Sequence, residues 1–196
     1  MLKDLRPSIV MMALFTLLFG LAYPLAMTGL AAVAFPHQAG GSLVTDAKGQ
    51  VIGSSLIAQG FARPEYLHPR PSAAGNGYDP MNSGGSNLGP MDQKLIDRVK
   101  GDSDALRKLN PGQPIPADAV TTSGSGLDPD ITPDNARMQA PRIAQARGAA
   151  TADVQALIDQ ATLQPSLGVF GEPRVNVLAV NRALDARFPM GHAKGA

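Results

Sequence analysis

The sequence predicts an α+β protein: one N-terminal transmembrane helix followed by a single loop-rich α+β soluble domain. Three observations lead there. Ile9 to Phe35 is a run of 27 residues without a formal charge, and the rest of the chain is polar enough to dissolve. The 161 residues after it combine helical apolar periodicities with a few β-favouring runs, and lack the βαβ alternation of a parallel sheet. Gly and Pro supply 34 of those 161 residues, about 21 per cent against a usual 12 or so, so irregular ordered loops must fill much of the domain.

The span comes first. A helix of 27 residues would reach roughly 40 Å, and a hydrocarbon core of about 30 Å is crossed by about 20 apolar residues. One crossing fits and two do not. Lys3, Arg6 and the amino terminus precede the run, and the nearest Lys or Arg beyond it is Lys48. The positive-inside rule then gives a cytoplasmic arm at 1–8, a transmembrane helix at 9–35 and an extracytoplasmic domain at 36–196. A competing reading is a cleaved secretory signal, because Ala32-Val33-Ala34 has the small-x-small form of a cleavage site. Signal cores run to about 7 to 15 residues, far shorter than this stretch. Pro24 removes one helical hydrogen bond and crowds the Gly20 carbonyl, which predicts a kink. Thr16/Gly20 and Ala22/Ala26 have the small-xxx-small spacing that seats a neighbouring helix, a spacing that also arises by chance in spans rich in Ala and Gly.

The domain follows in order. Ser42–Thr45 and Gln50–Ile52 are β-favouring runs separated by Asp46-Ala47-Lys48-Gly49, which predicts a hairpin turning at Gly49. Residues 68–90 hold five Gly, four Pro, three Asn and three Ser, so no regular element runs through them. Asp92 to Leu109 reads as a helix with Met91, Leu95, Ile96, Val99, Leu106 and Leu109 on one face, ended by Asn110-Pro111-Gly112. After a Gly/Ser loop at 121–130, Thr132 with Pro133 and Asp134 starts a second helix, which Pro141 kinks or restarts before Gly148. Thr151 with Asp153 opens a third, carrying Val154, Leu157, Ile158 and Ala161 and stopping near Pro165. Val175–Val180 is the best strand pattern in the chain and should be central. A short helix over Arg182–Phe188 and a frayed tail over Pro189–Ala196 complete it.

Composition and motifs restrict the chemistry. Past the span the chain holds 15 basic and 15 acidic side chains, so the basic excess of a nucleic-acid binder is missing. The absence of cysteine removes disulfides, thiolate metal sites and a Cys nucleophile. There is no phosphate loop, no nucleophile elbow and no Asp-Lys-Thr-Gly phosphorylation motif, and His37, His68 and His192 are too scattered for a metal site. We expect no catalytic residue, no metal and no cofactor of the chain's own. Asp128 and Asp130 are close enough to act as an acid/base or cation pair, or to make a turn before the next helix. Ser83, Gly84, Gly85, Ser86 and Asn87 either form an anion-binding nest or a tight turn leading into the 92–109 helix, with Asn87 as its cap. Arg63, Arg70 and Arg142 either pair with carboxylates or meet a partner surface, while Phe61, Tyr66 and Tyr78 read as pins for the long loop.

Five segments together are similar to one family. Arg70-Pro71-Ser72, Ser83–Pro90, Thr122–Pro129, Gln139–Ala144 and Gly171–Leu178, in this order behind this anchor, resemble the C-subunit family of the Kdp potassium-transporting ATPases over nearly the whole chain. The family often has Tyr-Phe ahead of Arg-Pro-Ser, where this chain has Tyr66-Leu67-His68. The resemblance implies a bacterial inner-membrane complex with a channel-like potassium-binding subunit, a P-type subunit that hydrolyses ATP and a small single-span subunit. The C subunit is then accessory, a catalytic chaperone that raises the ATP affinity of the P-type partner. In that family Ser83–Asn87 is likened to a nucleotide-contacting signature, and Ser123, Ser125, Asp128, Asp130, Arg70 and Arg142 become candidates for partner contact. K+ is the transported ion, ATP enters through the P-type partner, and membrane lipid surrounds the span.

Charge bias and resemblance pull apart on one point. The positive-inside rule puts the domain outside, whereas ATP is inside. If both hold, the domain covers the ion-access face of the channel-like subunit, and any effect on ATP is conformational coupling between distinct sites. Two alternatives of another class stay open: a membrane-tethered extracytoplasmic hydrolase using Ser83 or Ser125 with Asp128, and a secreted binding protein released after Ala34.

Overall fold

The computed structural model describes residues 2–190; of the expected tail, 191–196 lie outside the described residues. Two compact units divide the chain, Met1–Ser54 and Ser55–Ala196.

In the first unit α1 (Leu2–Leu17) and α2 (Tyr23–Ala34) join through one wide π turn, Leu18–Ala22. Together they make a 32-residue apolar helix, Lys3–Ala34, long enough to cross a membrane and with none of its most apolar window buried. The irregularity expected from Pro24 takes the form of this turn: the Tyr23 N–H donates to the Leu18 carbonyl, five residues back. Widening the helix just before the ring gives the Pro24 ring room beside the preceding turn. Phe15 stacks on Phe19 with ring centroids 5.8 Å apart, and Phe19 meets Tyr23 edge-on at 6.5 Å. A single turn, α3 (Pro36–Ala39), leads to β1 (Leu43–Thr45) and β2 (Val51–Ser54). They pair antiparallel as expected, with a bulge at Val44/Thr45. The Asp46 carboxylate accepts from the Lys48 and Gln50 N–H groups, and Gly49 takes φ of +78°, which fixes the turn.

The second unit is α+β. Its sheet runs β3 (Asp130–Ile131), β5 (Arg174–Asn176), β4 (Thr162–Leu163) in spatial order, all antiparallel. Against it pack α5 (Pro133–Arg147), α6 (Thr151–Ala161) and α7 (Val177–Arg187). Ile143, Val154, Ile158, Val175, Val180 and Leu184 are fully buried between them. Thr132 caps α5 by accepting from the Asn135 N–H, and Gly148 ends it in the left-handed region. Pro141 lies inside α5 without dividing it.

The expected strand Val175–Val180 is corrected: β5 is central but ends at Asn176, and Val177 begins α7 five residues before the helix expected at Arg182. The Asn176 side chain accepts from the Ala179 N–H at 3.0 Å, an N-cap that turns the chain. Val177, Leu178, Val180, Asn181 and Leu184 then fall on one buried helical face, a periodicity that the β-branched run concealed. The remaining helix, α4 (Gln93–Leu109), is capped by Asp92, whose carboxylate accepts from the Lys94 N–H, and not by Asn87. Ile96 and Leu109 on its apolar face are exposed, and none of its residues is fully buried.

Candidate functional site

Two Gly/Ser loops that lie some forty residues apart in the chain meet in the second unit. The Gly84 N–H donates to the Ser125 carbonyl at 2.8 Å, and the Ser83 hydroxyl donates to the same oxygen at 3.0 Å. The two backbones lie against each other. A Cβ on Gly126, which has φ of +67°, would stand 2.7 Å from both the Ala74 N and the Gly84 O, and one on Gly85 would stand 3.2 Å from the Gly124 O. Only glycine fits at 126.

Ser72 is the hub beneath them. Its hydroxyl donates to the Gly126 carbonyl at 2.6 Å and accepts from the N–H groups of Ala74 and Tyr78. The Tyr78 hydroxyl donates to the Arg70 carbonyl at 2.7 Å, and burial pushes that phenol up to about 12. Tyr78 thus pins the long loop as its sequence suggests, whereas Ser72 is a hub that the Arg70-Pro71-Ser72 motif contains without announcing.

Arg70 reaches the other side of the second loop. Its guanidinium donates to the Asp128 carboxylate at 2.9 Å and to the Thr121 and Thr122 carbonyls. Asp128 also accepts from the Asp130 N–H, and Asp130 pairs with Arg174 at 2.9 Å and accepts from Asn176. Asp128 and Asp130 are thus each committed to an arginine. With Asp118, Thr132 and Glu172 they border an open cleft of about 240 Å³. Asp118 holds Thr132 and the Asn135 amide.

Of the expected site residues the structure brings together Ser83, Gly84, Gly85, Ser123, Ser125, Arg70, Asp128 and Asp130. Ser86 is half-buried and Asn87 is exposed, with φ of +52°. Arg142 lies apart. It donates to the Pro64 and Tyr66 carbonyls and to Gln139, and desolvation pulls its pKa down to about 10, with Glu65 opposing. It clamps the turn at 63–66, which leads into the 67–70 segment, onto α5. The Gln139 carboxamide holds both backbone groups of His68, and Asn181 both of Leu67. These amides escaped sequence reasoning; their signal was a polar side chain on the buried face of an amphipathic helix.

The serines have no base to activate them among the described residues. Ser83 and Ser125 bond to backbone or to Ser123, and the His68 Nε2 is bonded to the Arg63 carbonyl. The geometry therefore lends the hydrolase reading no support.

Comparison with known proteins gives a consistent result. The family model described as "K+-transporting ATPase, c chain" (KdpC) matches residues 5–186. A potassium-transporting ATPase KdpC subunit of Caulobacter sp. strain K31 is 67% identical over 195 residues, covering 100% of both chains. The corresponding subunit of Rhodospirillum rubrum is 56% identical, covering 98% of this chain and 100% of its own. That of Koribacter versatilis is 51% identical, covering 97% and 98%.

Proposed function

Because the chain belongs to the KdpC family, we propose that it is the accessory, non-catalytic subunit of a bacterial potassium-transporting ATPase complex. The family match over residues 5–186, on a chain with one helix among the described residues long and apolar enough to cross a membrane, is the observation that carries this reading. A lone helix cannot line an ion path, so the chain works by holding or shaping its partners: the channel-like subunit, the P-type subunit and the small single-span subunit.

The basic residues Lys3 and Arg6 ahead of the span favour an extracytoplasmic domain in the inner membrane. The domain then acts on the potassium-access side of the channel-like subunit. Any gain in ATP affinity by the P-type subunit is coupling through the complex. The joined loops suit a contact face better than a nucleotide cradle, because the Gly84 N–H is already spent on Ser125 and Gly85 abuts Gly124.

The absence of cysteine permits a direct test. Ala152→Cys, exposed in the first turn of α6, is expressed with the chain's operon partners and treated in intact cells with a membrane-impermeant maleimide. Labelling of intact cells, with both large subunits recovered in mild detergent, is the expected result. Labelling only after the inner membrane is permeabilised would move the domain to the cytoplasm and make direct nucleotide contact the leading mechanism. Recovery of the chain alone would remove the accessory role.

A further inference from the structure

The π turn leaves a backbone acceptor without a partner inside the hydrocarbon. In a regular helix the Phe19 carbonyl would accept from the Tyr23 N–H, but that N–H is bonded to Leu18. One residue further on, the π partner would be Pro24, which has no N–H. Phe19 therefore loses both. Counted at 1.5 Å per residue, its carbonyl lies roughly 15 Å from Ile9 and roughly 24 Å from Phe35, well within a core of about 30 Å. Acyl chains offer no donor, so a neighbouring helix, a nearby side chain or an ordered water must supply one, and no side chain of the span itself donates to this carbonyl among the described hydrogen bonds.

The surface beside it is open. Phe19 is followed by Gly20, where a Cβ would meet nothing nearer than the Thr16 Cγ2 at 3.9 Å. Another backbone or a short side chain can approach the peptide closely.

We propose that the Phe19 carbonyl, on the peptide leading into Gly20, accepts a hydrogen bond from a donor side chain that a partner subunit's membrane helix carries at mid-bilayer depth. The donor is a hydroxyl, amide or amine, and the π turn and Gly20 together form its seat. The inference rests on the reading of the chain as a membrane subunit, but it concerns the span alone.

The test uses the whole complex. A benzophenone amino acid replaces Thr16, one turn before Gly20, or Leu18, which is two residues away and so on the opposite side. After irradiation in the membrane, the Thr16 position should capture another subunit's membrane segment with a donor residue within about one turn of the adduct; the Leu18 position should not. Replacing that donor by Ala should lower recovery of the complex roughly threefold to tenfold. In Pro24→Ala, which restores an N–H, the same replacement should cost less than about twofold. Capture of lipid only, of a second copy of this chain, or of a donor-free segment would overturn the proposal, as would equal losses in both backgrounds. If no partner co-purifies with the unaltered chain, the accessory role itself fails instead.

Discussion

Leu67 donates its N–H to the Asn181 carboxamide oxygen at 2.7 Å and accepts from the amide nitrogen of the same side chain at 2.9 Å. One buried side chain thus does the work of a neighbouring strand. Asn181→Leu should leave two buried backbone groups unpaired, at about 1–3 kcal/mol each. Thermal unfolding of the full chain in detergent, followed by circular dichroism, should fall by roughly 10 °C. A fall under about 2 °C would mean that water replaces the amide.

Gly126→Ala and Gly124→Ala make a matched pair. The first puts a Cβ 2.7 Å from two backbone atoms at a positive φ, and the second meets nothing within 4 Å. We expect Gly126→Ala to cost about 3 kcal/mol or more and Gly124→Ala less than about 1. Equal melting temperatures would show that the two loops do not pack as described.

His68 supplies a pH dependence. Desolvation first, then the Arg142 charge, hold its pKa below 6.5, against the Arg63 carbonyl and Glu65. A histidine lowered on folding is neutral in the native state and protonates more easily when unfolded. Its stabilising effect is therefore complete above pH 6.5 and is lost as the pH falls below it. Melting temperature recorded from pH 8 to pH 5 should drop less steeply in His68→Gln than in the unaltered chain. Parallel curves would refute the assignment.

Arg142 and Ser86 should separate fold from association. Arg142→Met strips the Pro64 and Tyr66 carbonyls of their donor and should cost about 2–4 kcal/mol, with partner recovery per folded chain unchanged. Ser86→Arg, in the joined loops, should leave melting within about 0.5 kcal/mol and lower recovery of partner subunits. The reverse pattern would place the contact face elsewhere.

Features written in local signals were legible in the sequence. Thr132-Pro133-Asp134 announced α5, Asp46 and Gly49 announced the hairpin, and the uncharged run announced the long apolar helix. Val177–Val180 was misread because β-branched residues carry a strand signature that the Asn176 cap and the spacing to Leu184 override. For the candidate site, the sequence named both Gly/Ser loops but not their union. No local pattern announces that Gly84 will bond to Ser125, or that Gln139 will hold His68 across 71 positions. Such pairings follow from tertiary packing. Arg142 showed the converse: an arginine inside a family-like motif, spent on holding the fold.

The Leu67–Asn181 pair also dictates an order of events during synthesis. The two residues are 114 positions apart, and α7 is the last helix among the described residues to be synthesised. Until it does, the 63–70 segment has no second wall, and the loops rooted at Arg70 and Ser72 have no fixed base. The domain cannot be assembled from its amino end as it is synthesised. A nascent chain halted anywhere before α7 should be cut readily by protease within 60–130, whereas emergence of α7 should confer resistance on the whole domain at once.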